Sequence, residues 1–157
     1  MKVALFLLLF SIIIYGCPPK YIPGTTIVDN DENRAIFTLV EKYRRAFDEK
    51  DIETIMSLVS KNFYENGGNA DPSDDYNAEG LRKNLKEKFS KTKAQGLEIN
   101  IRSIDFDEKN NRVSVKYSYF VKFQMELATG DKWETASDIA EIVFVKEGGE
   151  WKIIKGL

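Results

Sequence analysis

The sequence predicts an α+β domain, in which three N-terminal helices pack on a curved antiparallel sheet of four or more strands to make a cone. Three observations predict it. Apolar residues recur at helical spacing through the first half of the chain. The period then changes to two and stays there to the end. The strands follow one another with turn residues between them instead of alternating with helices, which selects a meander over a parallel sheet.

The first helix begins at Glu32. Ile36, Leu39, Val40, Tyr43 and Phe47 fall at i, i+3, i+4, i+7 and i+11, one apolar stripe. Asp51 suits the N-cap of a second helix, because a short carboxylate there can accept from the unpaired amides of the first turn. Ile52, Ile55, Met56 and Val59 form its stripe. Gly67-Gly68 and the polar stretch to Asp75 break the chain. Asn77 or a neighbour starts a third helix, with Leu81, Leu85 and Phe89 on one face, and Gly96 is expected to end it.

Strands fit near 97–106, 112–126, 133–146 and 150–155, with Asn110-Asn111, Gly130-Asp131 and Gly148-Gly149 at the turns. A two-residue turn at Gly130-Asp131 sets Val121 opposite Ala140, Tyr119 opposite Ile142 and Tyr117 opposite Phe144. A turn at Gly148-Gly149 sets Phe144 opposite Ile153 and Lys146 opposite Trp151. Together they gather Tyr117, Tyr119, Val121, Phe123, Ile142, Phe144, Trp151 and Ile153 on one face. In the first strand Ile104 and Phe106 have the opposite parity to Leu97, Ile99 and Ile101. A bulge near Arg102-Ser103 would bring both groups to one face and bend the sheet. A bent sheet around helices encloses a pocket.

The first residues read as an address. Lys2 is a short positive n-region, and residues 3–15 are apolar except for Ser11. That run is too short for the roughly 20 residues that span a bilayer and suits a secretory h-region. Ile14-Tyr15-Gly16-Cys17 resembles a lipobox, with Tyr15 bulkier than the pattern favours. The resemblance implies a signal peptide over 1–16, a diacylglyceryl group on Cys17, and anchorage of the mature chain to a membrane. Pro18 stands where an inner-membrane retention signal would carry Asp, so in a host with two membranes the periplasmic face of the outer one is expected. Residues 18–31 hold three prolines and no helical period, and are expected as a semi-extended tether between Cys17 and a domain at 32–157.

Composition excludes several function classes. Removing residues 1–16 takes away Lys2 and no acid, so the net charge of -2 becomes -3, which argues against a nucleic-acid partner. The chain has no histidine, the commonest general base and metal ligand. Its single cysteine allows neither a disulfide nor a thiolate cluster. No metal or cofactor is expected. Asp71, Asp74 and Asp75 cluster in one loop but lack the spacing and closing Glu of a calcium loop, and read as solvated.

The run Tyr43-Arg44-Arg45-Ala46-Phe47-Asp48-Glu49-Lys50-Asp51-Ile52-Glu53, residues 58–64 after it, and the closing Gly149-Glu150-Trp151-Lys152-Ile153-Ile154 resemble the nuclear transport factor 2-like superfamily, which includes SnoaL-like and ketosteroid-isomerase-like proteins. The resemblance covers roughly residues 32–157 in element order and implies a cone with a pocket. Members include isomerases, dehydratases, ligand binders and dimerisation modules, so it implies no single reaction. The isomerase pattern uses a Tyr, a role open to Tyr43, and two acids that have no clear match here. The dehydratase pattern needs a His–Asp pair that this chain lacks.

Candidate ligand-binding residues are Tyr43, Tyr64, Tyr117, Tyr119, Phe123 and Asp138. The register above places Asp138 beside Phe123 on the inner face, where an unpaired acid could act as a base or a ligand contact. A one-residue slip would put Glu141 inside instead. The tyrosines are alternatively plain core. Lys83, Lys86, Lys88, Lys91 and Lys93 read as the exposed face of the third helix. Phe120, Ile139, Val143, Val145 and Ile154 load the outer sheet face with apolar groups, which suggests burial against a second copy, making a homodimer, or against another protein; the alternative is scattered exposed aliphatics on a monomer. The expected function is a lipid-anchored envelope domain, non-catalytic, that binds a small apolar ligand or a protein partner. The alternatives are a small isomerase or hydrolase using an Asp–Tyr pocket, and a structural or assembly lipoprotein.

Overall fold

The computed structural model describes residues 18–68, 71–127 and 130–157, so the expected signal peptide and Cys17 lie outside the described residues. Helix α1 (Asp31–Asp48) starts where the Asn30 side chain accepts from the Asn33 amide, and it buries Ile36, Val40, Ala46 and Phe47. Helix α2 (Ile52–Leu58) is capped by Asp51, whose carboxylate accepts from the Thr54 amide at 2.9 Å and its hydroxyl at 2.6 Å. Two short strands that the sequence did not suggest, β1 (Tyr64–Glu65) and β2 (Tyr76–Asn77), pair across the polar loop. Helix α3 (Ala78–Ser90) follows, with the Asn77 side chain accepting from the Gly80 amide at 3.0 Å. No helix among the described residues is long and apolar enough to cross a membrane.

The second half is one antiparallel sheet in the order β3 (Thr92–Asp107), β4 (Arg112–Leu127), β5 (Gly130–Glu147), β6 (Glu150–Lys155). The expected bulge is present. The register of β3 against β4 shifts between Ile101 and Ser103, and again between Thr92 and Ala94. Phe144 faces Ile153 and Lys146 faces Trp151, as the Gly148-Gly149 turn requires, and both glycines take positive φ. Ile36, Val40, Ile55, Val113, Val115, Ile142 and Ile153 have no exposed surface, so the core lies between α1, α2 and the concave side of the sheet. Each such side chain contributes about 1.5–3 kcal/mol by leaving water.

Three expectations need correction. Helix α3 ends at Ser90, not Gly96. Thr92 is buried, its hydroxyl donates to the Lys88 carbonyl, and β3 must begin there to pair with Met125 at the far end of β4. Gly96 is an interior strand position opposite Lys122.

The β4–β5 register differs from the expected one. Tyr117 faces Ala140, Tyr119 faces Asp138 and Val121 faces Ala136. Leu127 pairs with Gly130, so Gly130 and Asp131 belong to the ladder and not to the turn. The Asp131 carboxylate is held there by the Lys93 ammonium at 2.8 Å and the Gln124 amide at 3.1 Å. The displacement is four residues along β5. Being even, it exchanges neighbours without turning any side chain to the other face.

The expected tether is docked along most of its length. Tyr21 bridges Val28, the Ile22 amide donates to the Ile27 carbonyl at 2.9 Å, and Ile22 and Ile27 are buried in the main core. The turn is fastened to the start of α1 by Asn33 Nδ2 donating to the Val28 carbonyl at 2.8 Å and by an Arg34–Asp29 ion pair. Two apolar side chains in a proline-rich stretch outweigh the absence of a periodic pattern.

Candidate ligand cavity

The C-terminal half of α1 runs over the concave sheet, and side-chain bonds fix its end. Asp48 accepts from the Leu97 amide at 2.7 Å and from Arg44 at 2.8 Å, while Gln95 donates to the Phe47 carbonyl. Lys50 reaches the Thr92 carbonyl from the following turn. These contacts set Tyr43 and Phe47 facing β4 across a gap that the other helices do not fill. Phe47 is braced from behind by the edge of Phe89, centroids 5.4 Å apart.

The gap is an open cavity of about 400 Å³, within the range of small-molecule sites. Tyr43, Phe47 and Lys88 line its helical side, and Leu97, Tyr117, Tyr119, Val121, Phe123, Ala136 and Ala140 its sheet side, with Gly156 and Leu157 at the end of the chain closing one edge. A second hollow of about 140 Å³ shares Phe47, Lys88, Val121 and Phe123 with it and adds Thr92, Gln95, Lys91 and Met125. No side chain lining either space is acidic.

The polar groups in the cavity are phenols and one ammonium. The Tyr117 and Tyr119 rings are 6.2 Å apart, and among the described residues neither they nor Tyr43 hydrogen-bond through their hydroxyls. Burial pushes the Tyr117 phenol up to about 12, helped by neighbouring Tyr119, and raises Tyr43 further, with Tyr117 and Tyr76 adding to it. Both remain protonated donors at neutral pH. The Lys88 ammonium sits 5.7 Å from the centre of the Phe47 ring.

Of the residues singled out from the sequence, Tyr43, Tyr117, Tyr119 and Phe123 line the cavity together. Two do not. Tyr64 is on β1, exposed, with its hydroxyl on Asp75 at the surface. Asp138 keeps the expected parity, but the four-residue displacement sets it opposite Tyr119 and not Phe123. There it is exposed, with its carboxylate turned to the Ile139 amide at 2.7 Å. Glu141 is exposed on the outer face and accepts from Ser114. In the sequence Lys88 reads as one of a row of exposed lysines. The position of its ammonium over the Phe47 ring distinguishes it from Lys83 and Lys86.

No family model and no curated protein sequence matches this chain. Solved structures do. A conserved protein from Planctomyces limnophilus superposes with a TM-score of 0.67 at 14% identity, over 80% of this chain and 92% of that one. A nuclear transport factor 2-like superfamily protein from Salmonella enterica gives 0.64 at 13% identity, over 78% and 86%. A ketosteroid isomerase-like protein from Erwinia carotovora gives 0.64 at 16% identity, over 82% and 95%. The chain has the nuclear transport factor 2-like α+β cone fold.

Proposed function

We propose that this chain is a lipid-anchored envelope protein whose domain takes a small apolar ligand into the cavity and does no chemistry on it. The observation that carries the reading is the cavity wall: apolar surface and tyrosine hydroxyls, with no acidic side chain, in a chain that has no histidine. A general base for neutral pH is missing from such a wall, since the phenols it offers titrate far above it. Spare hydroxyls on an apolar wall suit a ligand with few polar atoms. The address rests on the lipobox-like Ile14-Tyr15-Gly16-Cys17.

The test is native mass spectrometry of the full chain, extracted from the membranes of its own host. A small molecule released on denaturation, and absent from an Ala136→Trp variant that fills the cavity, is the expected result. An empty wild-type protein would overturn ligand carriage. In the same preparations Cys17→Ser should move the chain out of the membrane fraction.

A specific observation also favours a second copy as partner. On the outer face Phe120 and Ile139 are 39% and 57% exposed, and they are diagonal neighbours because Phe120 pairs with Ser137 and Ile139 with Ser118.

A further inference from the structure

The charges around the cavity carry the ligand reading to a chemical class, and the argument rests on that reading. Lys88 and Lys91 line the hollows, and Lys93 follows Thr92 just beyond them. Lys91 is paired with Glu87 at 2.7 Å, and Lys93 with Asp131 at 2.8 Å and Glu126 at 3.6 Å. Lys88 has no carboxylate partner among the described residues, and its ammonium lies over Phe47, where the two hollows meet. The cavity therefore presents a cation that is in no ion pair among the described residues, with phenolic donors and apolar wall beside it. A ligand cation would face Lys88 with nothing to offset the repulsion. A wholly apolar ligand would press against the ammonium and strip part of its water without replacing it.

We propose that the cavity takes an amphipathic monocarboxylate of the fatty-acid kind, its carboxylate on Lys88 at the mouth and its chain lying along Val121 and Phe123 toward Tyr117. Charge-assisted bonding at the mouth sets orientation, and the apolar wall supplies the remainder of the affinity. The 140 Å³ hollow beside Met125 and Gln95 leaves room for the head group or for a bend in the chain.

The test is photolabelling of the full chain in phosphatidylcholine nanodiscs with two diazirine probes of equal chain length, a dodecanoate and a dodecanol. Labelled peptides are then mapped by mass spectrometry. The expected result is labelling of peptides containing Phe123 and Tyr117 by the carboxylate probe at concentrations about tenfold below those the alcohol needs. Lys88→Gln should remove that advantage by weakening labelling by the carboxylate probe, and Lys88→Arg should restore it. Lys88 is exposed and outside the core, so neither variant threatens folding. Equal labelling by both probes, unaffected by Lys88→Gln, would overturn the carboxylate proposal and leave apolar ligand binding standing. If neither probe labels the cavity peptides, both readings fall.

Discussion

Gly156 takes φ +98, and a Cβ there would stand 2.0 Å from the Glu141 carbonyl oxygen. Its amide donates to Glu65 at 2.7 Å, and Tyr76 donates to the Leu157 carbonyl, so this one residue lets the end of the chain lie flat on β5 and close an edge of the cavity. Gly156→Ala is expected to lower stability by about 1–3 kcal/mol, read from thermal unfolding. The cavity tyrosines predict an alkaline limit. Tyr117 titrates near its ordinary 10.0 when unfolded and near 12 when folded, so below pH 10 its contribution is constant. Above pH 10 the unfolded state sheds a proton that the folded state keeps. Stability therefore falls by about 1.4 kcal/mol per pH unit for each such tyrosine. Unfolding curves from pH 9 to 12 should steepen above 10, and Tyr117→Phe should flatten them. At this scale the sequence was legible in parity and illegible in depth. Tyr117, Tyr119 and Phe123 share a face whatever even register β5 adopts. Whether Asp138 lies inside depends on where the helices stop covering that face, and residues 135–139 are all exposed.

The elements whose signals are local were legible in full. The Asp51 and Asn77 caps, the Gly148-Gly149 turn and the bulge at Arg102-Ser103 each follow from chemistry confined to a few neighbouring residues. The failures are where a distant partner decides. β3 starts four residues before Gly96 because the far end of β4 needs a mate, and no pattern near Gly96 reports that. The segment before α1 looks like a linker by composition, but Ile22 and Ile27 find a core contributed by residues far along the chain. Ile22→Ala is expected to cost about 2–4 kcal/mol, the range for truncating a buried aliphatic side chain. Denaturant unfolding monitored by circular dichroism would measure it. A true tether would tolerate the change with no loss.

For the molecule as a whole, the outer sheet face predicts association. Ile139→Lys on that face should convert dimers to monomers in sedimentation velocity while leaving the melting temperature nearly unchanged, because the side chain is mostly exposed and outside the core of its own chain. A wild-type chain that sediments as a monomer at tens of micromolar would remove the second copy from consideration. The docked turn at 21–28 bears on a different question, that of orientation. It leaves only residues 18–19 as free leash after Cys17, because the Lys20 carbonyl already accepts from the Asp29 amide at 2.6 Å, so the reach is at most about 7–11 Å. An acyl anchor at Cys17 would thus hold the start of α1 close against the headgroups. Phe47 lies sixteen residues further along the same helix, about 24 Å away at 1.5 Å per residue. If Cys17 is acylated and α1 stands on that end, the mouth would look away from the leaflet that holds it. A molecule entering or leaving would cross water, and the protein would trade with the opposite side of its compartment instead of drawing on the bilayer beneath it.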